Sequence, residues 1–270
     1  MHPLHESLNY SLLNHLTSIE YSAAMDKTQA ARTTRSGSAA SGTTAPHAVL
    51  FDAYGTLFDV YSVALTAEQL FPGRGEALSL LWRDRQIEYT RLVTMSAPDG
   101  SRYRPFWEIT RDALRFACAR LQLQLGADSE LRLMNQYRAL SAFPEVRDVL
   151  QALQARGIRA GILSNGDPAM LEVAIKSAGL GGLLDPVLSV EPARAFKTDP
   201  RAYALGPAAL GLPARQILFV SSNGWDAIGA TWYGHTTLWV NRAGAPLEQL
   251  GTEPSRIGTS LRDVLNFFPA

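Results

Sequence analysis

Four polar clusters in this chain carry residue types able to do chemistry, and each follows a short apolar run. Ala48-Val49-Leu50-Phe51 delivers Asp52 into a turn at Gly55. Later runs end in Ser164-Asn165-Gly166-Asp167, in Lys197-Thr198-Asp199 and in Ser221-Ser222-Asn223-Gly224-Trp225-Asp226. Any one of these is ordinary βα-turn composition. Together they bring Asp52, Ser164, Lys197 and Asp226 to the carboxyl ends of strands in one sheet, where open α/β folds bind ligands. A carboxylate there can act as nucleophile, general base or metal ligand, and Tyr54 and Phe58 supply apolar surroundings that favour a nucleophile. Against an anionic substrate about 4 Å away, Asp52 meets a repulsion of roughly 4 kcal/mol at an effective dielectric of 20. A cation is required, and Lys197 is the best placed; its other reading is a solvated loop lysine.

The elements that must position these residues alternate. An apolar run without polar alternation predicts that residues 48–51 form a strand buried on both faces. Helical spacing is predicted after Pro144, with Val146, Val149, Leu150 and Leu153 on one face and Gly157 closing it. Strands are expected at Arg159 to Leu163, Pro186 to Val190, Gln216 to Val220 and Thr236 to Val240, and a closing helix at Ser260 to Phe268. Asp167-Pro168 and Asp199-Pro200 read as helix caps. The fold class is therefore α/β, a Rossmann-like parallel sheet with right-handed crossovers. Residues 61–142 lack a strand pattern and separate the first two strands by far more than a crossover needs, so they read as an inserted helical domain, the core being 46–60 and 143–270. Leu80, Arg83, Ile87 and Leu92 fall in one helical pattern there, and Phe106, Thr110, Ala113, Leu114, Ala117 and Leu121 in another.

Composition narrows the function classes. Among 270 residues, 25 basic and 25 acidic side chains cancel, which favours neither nucleic acid nor a membrane surface as partner. Cys118 is the single cysteine, so an internal disulfide and a thiolate metal cluster are excluded; its helical setting marks it as a buried structural thiol. No apolar run reaches the roughly 18 residues of a membrane span. Residues 1–45 differ from the rest, ending in a Ser, Thr, Gly and Ala-rich tract expected to be disordered and dispensable. His235 and His47 sit beside no serine in sequence that would suggest a hydrolytic pair.

Phe51-Asp52-Ala53-Tyr54-Gly55-Thr56-Leu57-Phe58-Asp59-Val60, Leu163-Ser164-Asn165-Gly166, Lys197-Thr198-Asp199-Pro200 and Phe219-Val220-Ser221-Ser222-Asn223-Gly224-Trp225-Asp226 resemble the ordered motifs of the haloacid dehalogenase superfamily. Within it they are most similar to the L-2-haloacid dehalogenases. The resemblance runs from about His47 to Arg242 and includes the cap insertion. Magnesium-dependent phosphatases of the superfamily carry a second aspartate two residues after the nucleophile and another acid opening the last motif. Tyr54 and Ser221 stand at those positions here, so the resemblance implies no metal and no cofactor.

What it implies instead is displacement at carbon. Asp52 attacks C2 of a small-molecule 2-haloalkanoate, and water hydrolyses the resulting aspartyl ester to give a D-2-hydroxy acid. Asp226 is the expected base or water positioner, Lys197, Ser221 and Asn223 hold the charge network, and Thr56 orients Asp52. Ser164 binds the substrate carboxylate; Arg83 and Asn165 assist the departing halide. Tyr54, Ile87, Phe106 and Trp225 match apolar pocket positions, and Tyr203 a tyrosine near the lysine. A homodimer and a cytoplasmic location follow from the resemblance alone. The alternatives are a phosphatase or phosphonate hydrolase on this fold, or a noncatalytic binding protein. Two departures bear on substrate range. Asp84 lies beside Arg83, with which it could instead form a surface ion pair, and Ala97-Pro98-Asp99-Gly100 lengthens the cap connection before Tyr103.

Overall fold

The computed structural model describes residues 45–269, and β1 (Ala48–Phe51) is buried along its whole length. It lies in the middle of a six-stranded parallel sheet of order β3-β2-β1-β4-β5-β6. The other strands are β2 (Arg159–Ser164), β3 (Val187–Ser189), β4 (Ile217–Ser221), β5 (Thr236–Val240) and β6 (Arg256–Gly258). Phe51 is in register with Ile162 on one side and Val220 on the other. The sheet order therefore reverses direction about β1, and the crevice at that switch point opens beside Asp52. The expected N-terminal disorder falls on residues outside the described range.

Four helices follow β1: α1 (Val63–Leu70), α2 (Gly75–Ser96), α3 (Phe106–Arg120) and α4 (Ala127–Arg138). They form the inserted helical cap. Phe106, Thr110, Ala113, Leu114 and Ala117 of α3 are all buried, as their spacing predicts. On α2 the prediction is only half right. Leu80 and Leu92 are exposed, and the buried stripe is Leu78, Trp82, Gln86, Ile87 and Thr90. Gln86 belongs to that stripe because its amide donates to Thr110 Oγ1 at 2.6 Å, satisfying a polar group inside the cap.

Beyond the cap, α5 (Val146–Ala155), α6 (Pro168–Ser177), α7 (Pro200–Leu210) and α8 (Gly224–Tyr233) alternate with the strands. Two expectations need correction. The closing element, Leu261–Phe267, is a 3₁₀ helix rather than an α-helix, with Ser260 and Asp263 forming a capping box. The short edge strand β6 was not expected at all. Cys118 is buried, and that burial pushes its thiol up to about 11. Among the described residues no helix is long and apolar enough to cross a membrane.

Asp167 joins the cap to the core in a way its sequence position does not suggest. It stands at the N-cap of α6, as predicted, but its side chain makes no bond to that helix. Its carboxylate instead accepts the backbone N–H groups of Phe106 (2.8 Å) and Trp107 (2.7 Å), the unpaired donors at the start of α3. Burial outweighs those two bonds and raises its pKa above the ordinary carboxylate range. We expect Asp167→Ala to lower unfolding free energy by about 1–3 kcal/mol, with Asp167→Asn losing less because its amide oxygen still accepts. Urea unfolding at neutral pH measures both.

His235 packs against Tyr203, Phe219 and Tyr233, and neither ring nitrogen has a hydrogen-bond partner among the described residues. Burial pushes its pKa down to about 4 from 6.5. The native ring stays neutral while the unfolded chain takes up a proton as pH falls through 6.5. Stability therefore drops by about 3 kcal/mol between pH 6.5 and 4. The expected outcome for His235→Phe is a flatter dependence of the urea midpoint across that window.

Candidate active site

Asp52 sits one residue past β1 and is nearly buried. The chain turns sharply beyond it. Gly55 has φ of +92°, a conformation that favours glycine, and its N–H donates to Phe58 O at 2.7 Å. A Cβ on Gly55 would also approach the Asn223 amide at 3.5 Å. The turn therefore brings Thr56 back onto the carboxylate it follows.

Each oxygen of Asp52 has its own partners. Oδ2 accepts from Thr56 Oγ1 at 3.0 Å and Asn223 Nδ2 at 2.8 Å. Oδ1 accepts from Lys197 Nζ at 3.1 Å. With two acceptor sites per oxygen, Oδ2 is filled and Oδ1 keeps one lone pair free among the described contacts. Thr56 is itself fixed, because Ser222 N–H donates to its Oγ1 at 2.8 Å.

Lys197 is fully enclosed, and its ammonium also donates to Asp226 Oδ2 at 3.1 Å. Asp226 lies in the first turn of α8 and is buried; Tyr203 donates to its Oδ1 at 2.7 Å. Burial raises the pKa of Asp226, with Lys197 pulling the other way and Asp52 adding to the rise. A carboxyl shifted upward by burial is a better proton acceptor.

Arg83 reaches the site from α2 of the cap. Its Nη2 donates to Tyr54 O at 3.1 Å and Asn223 Oδ1 at 3.2 Å, and its Nη1 to Gln86 Oε1 at 2.7 Å. Asp84 is exposed and forms no ion pair with it, so the surface-pair reading is set aside. Tyr54 is buried, stacks on Tyr137 with ring centroids 5.7 Å apart and lies 5.8 Å from Phe106. Its hydroxyl has no partner among the described residues, and burial raises its pKa well above the ordinary phenol value. Gly166 is required here, because a Cβ would come within 2.6 Å of the Tyr54 ring.

Asp52, Thr56, Arg83, Lys197, Asn223 and Asp226 are thus joined in one network, while other expected site residues are placed differently. Asn165 is not bonded to Arg83; its Oδ1 accepts the backbone N–H of Lys197 at 3.0 Å, supporting the lysine instead. Tyr203 is fully buried and its hydroxyl is engaged by Asp226, which corrects its expected place among substrate-binding residues. Ser164 and Ser221 accept from Gly166 N–H and Asn223 N–H, each at 3.1 Å, and so shape their turns. Ser221 makes no bond to Lys197 or to either aspartate. Ile87 is buried on α2, and the Arg91 guanidinium lies over Trp225, its carbon 5.3 Å from the ring centroid.

Three contributors were missed. Gln86 was legible in principle, three residues after Arg83 on the same helix face. Tyr137, which donates to Gln86 Oε1 at 3.0 Å, comes from a different helix and left no local signal. Arg242 braces the outer side, donating to Ser222 Oγ at 2.7 Å and Thr56 O at 3.2 Å while paired with Glu145 at 2.8 Å.

Comparison with known proteins places the chain among similar sequences and structures of one family. A family model described as haloacid dehalogenase-like hydrolase matches residues 46–234. The (S)-2-haloacid dehalogenase of Pseudomonas sp. (strain YL) is 46% identical over 82% of this chain and 93% of its own length. The haloacetate dehalogenase H-2 of Moraxella sp. (strain B) is 42% identical over 77% of this chain and 91% of its own. A solved L-2-haloacid dehalogenase superposes with a TM-score of 0.82 at 62% identity, covering 84% of this chain and all (100%) of its own. The L-2-haloacid dehalogenase of Xanthobacter autotrophicus with chloropropionic acid covalently bound has a TM-score of 0.75 at 34% identity, over 83% of this chain and 100% of its own. With its parallel sheet, inserted cap and Asp52 site, the chain belongs to the haloacid dehalogenase-like hydrolases.

Proposed function

We propose that the protein hydrolyses short L-2-haloalkanoic acids to D-2-hydroxy acids through an ester on Asp52, without a metal ion. The observation that carries this reading is Lys197 Nζ, 3.1 Å from both Asp52 and Asp226. Positive charge that an anionic nucleophile and an anionic substrate both need is built into the chain as an ammonium. The placement of that ammonium supports the same view, since it stands between the two buried carboxylates that a cation would otherwise bridge.

The first step uses the free lone pair of Asp52 Oδ1. An Oδ1–C2 bond forms as the C2–halogen bond breaks, the electron pair leaves with the halide, and the carbon inverts. Arg83 supplies positive charge for the halide, and the Tyr54 hydroxyl, without a partner among the described residues, is a further donor beside the apolar ring of Phe106. Ser164 and the backbone of its turn take the substrate carboxylate. The covalently bound chloropropionic acid of the Xanthobacter autotrophicus relative supports a covalent step.

In the second step water attacks Asp52 Cγ and gives a proton to Asp226. Negative charge then develops on Oδ2, where Thr56 Oγ1 and Asn223 Nδ2 already donate at 3.0 and 2.8 Å. These two donors act as an oxyanion hole. Collapse breaks the Cγ–Oδ1 bond, Asp226 returns its proton to the leaving Oδ1 so that the product departs as the hydroxy acid, and the other proton of the water leaves the Asp52 carboxyl to solvent. A cytoplasmic homodimer with neither nucleic acid nor membrane as partner belongs to this reading, supported by the family resemblance and the balanced charge.

Halide release from L-2-chloropropionate is expected at the same rate with and without EDTA, with no phosphate released from p-nitrophenyl phosphate. Asp52→Asn is expected to lower kcat by at least about 1,000-fold with folding intact. Retained turnover in that variant would contradict the covalent step, and loss of wild-type turnover in EDTA would contradict metal independence.

A further inference from the structure

Two cavities open between cap and core, and their charges differ. One, of about 490 Å³, lies between α3 and the start of α6; its lining includes Glu108, Asp167, Glu191 and Arg138. The other, of about 300 Å³, lies between the end of α2 and the chain before α7, and is lined by Arg91, Thr94, Met95, Phe196, Lys197 and Asp199 among others. The first is lined by three carboxylates and one guanidinium; Glu108 is paired with Arg104 at 3.2 Å, which leaves Asp167 and Glu191 beside Arg138. In the second, Asp199 is neutralised by Arg201 at 2.8 Å, and Lys197 by its two aspartates. Arg91 is left as its uncompensated charge, with no ion pair among the described residues, exposed on α2 and lying over Trp225 at 5.3 Å.

The second cavity is also the one whose lining includes a residue of the Asp52 network. That residue is Lys197, whose side chain runs enclosed from the cavity wall to an ammonium that touches Asp52. Its outer wall is the lengthened cap connection at residues 97–100. Arg194 Nε and Nη2 donate to Gly100 O at 3.1 and 3.0 Å, Arg201 donates to Pro98 O, and Phe196 N–H donates to Thr94 Oγ1 at 3.0 Å. These bonds from the core hold the cavity's two sides together.

We propose that this cavity is the approach route for the anionic substrate and that Arg91 is the cation that draws its carboxylate in. The inference rests on the haloacid reading above for the identity of the anion. Arg91 acts before the chemical step, by raising the local concentration of an anion at a desolvated cleft. The cavity between α3 and α6, with Asp167 and Glu191 against Arg138, keeps a net negative lining and attracts the same anion less. Arg91 is a specificity-determining residue in this account and not a catalytic one.

The test compares wild type, Arg91→Met, Arg91→Lys and Glu191→Gln in halide release from L-2-chloropropionate across ionic strengths. For Arg91→Met, kcat/KM is expected to fall by about 5- to 10-fold at low salt, with kcat within about twofold and a flatter salt dependence. Arg91→Lys keeps the wild-type slope, and Glu191→Gln does not lower kcat/KM. A merely structural role for Arg91 would not alter the salt slope. Unchanged kcat/KM and slope in Arg91→Met overturn the proposal. If wild type releases no halide, the haloacid reading fails by itself, and Arg91 is then judged by propionate and propionamide association, followed by tryptophan fluorescence. Slower association of propionate alone in Arg91→Met supports the route; equal rates for wild type and variant overturn it.

Discussion

The Lys197 ammonium between Asp52 and Asp226 is the contact on which the rest of the site depends. Two carboxylates and a lysine are held almost out of water, with the ammonium 3.1 Å from each acid. Removing one partner from a buried ion pair costs about 3–5 kcal/mol, because the remaining charge stays buried without compensation. The surrounding donors reduce that burden by filling further acceptor sites: Thr56 and Asn223 on Asp52, and Tyr203 on Asp226. Among the described residues, Asp52 Oδ2 has two donors and Oδ1 only the lysine, which leaves Oδ1 the oxygen of Asp52 able to react.

The fold serves this contact through strand ends. β1 at the centre of the sheet presents Asp52, β4 leads into the turn that carries Asn223 and Asp226, and β2 leads into the turn whose Asn165 holds the lysine backbone. The cap adds Arg83 through α2 and Phe106 through α3, and Asp167 ties α3 back to the core. Cap and core therefore meet through polar bonds at defined atoms as well as through aromatic packing around Tyr54.

Local patterns made much of this legible. A fully apolar run marked β1, because a parallel sheet covered on both faces needs one, and shorter apolar stretches marked β2, β4 and β5. The edge strand β6 is three residues long and its Ile257 is exposed, so it left no such pattern. On α2 the apolar count misplaced the buried face, because Gln86 is a core residue only by virtue of partners on α3 and α4. The closing segment read as an α-helix, but its buried Leu261 and Val264 are three residues apart, a spacing that also suits the 3₁₀ form found. Asp52, Lys197, Asn223 and Asp226 could be named from the motifs. Their division between the two oxygens of Asp52, and the reassignment of Asn165 and Tyr203 to supporting the lysine and Asp226, are tertiary facts with no sequence signature.

The central claim is that Asp52 Oδ1, and not water, forms the new bond to carbon. A single turnover of L-2-chloropropionate in ¹⁸O-labelled water, with enzyme in excess, tests it most directly by mass spectrometry of product and protein. The account predicts unlabelled D-lactate and one ¹⁸O atom in the peptide that contains Asp52. Label in the lactate after that first turnover, with an unlabelled Asp52 peptide, would contradict it.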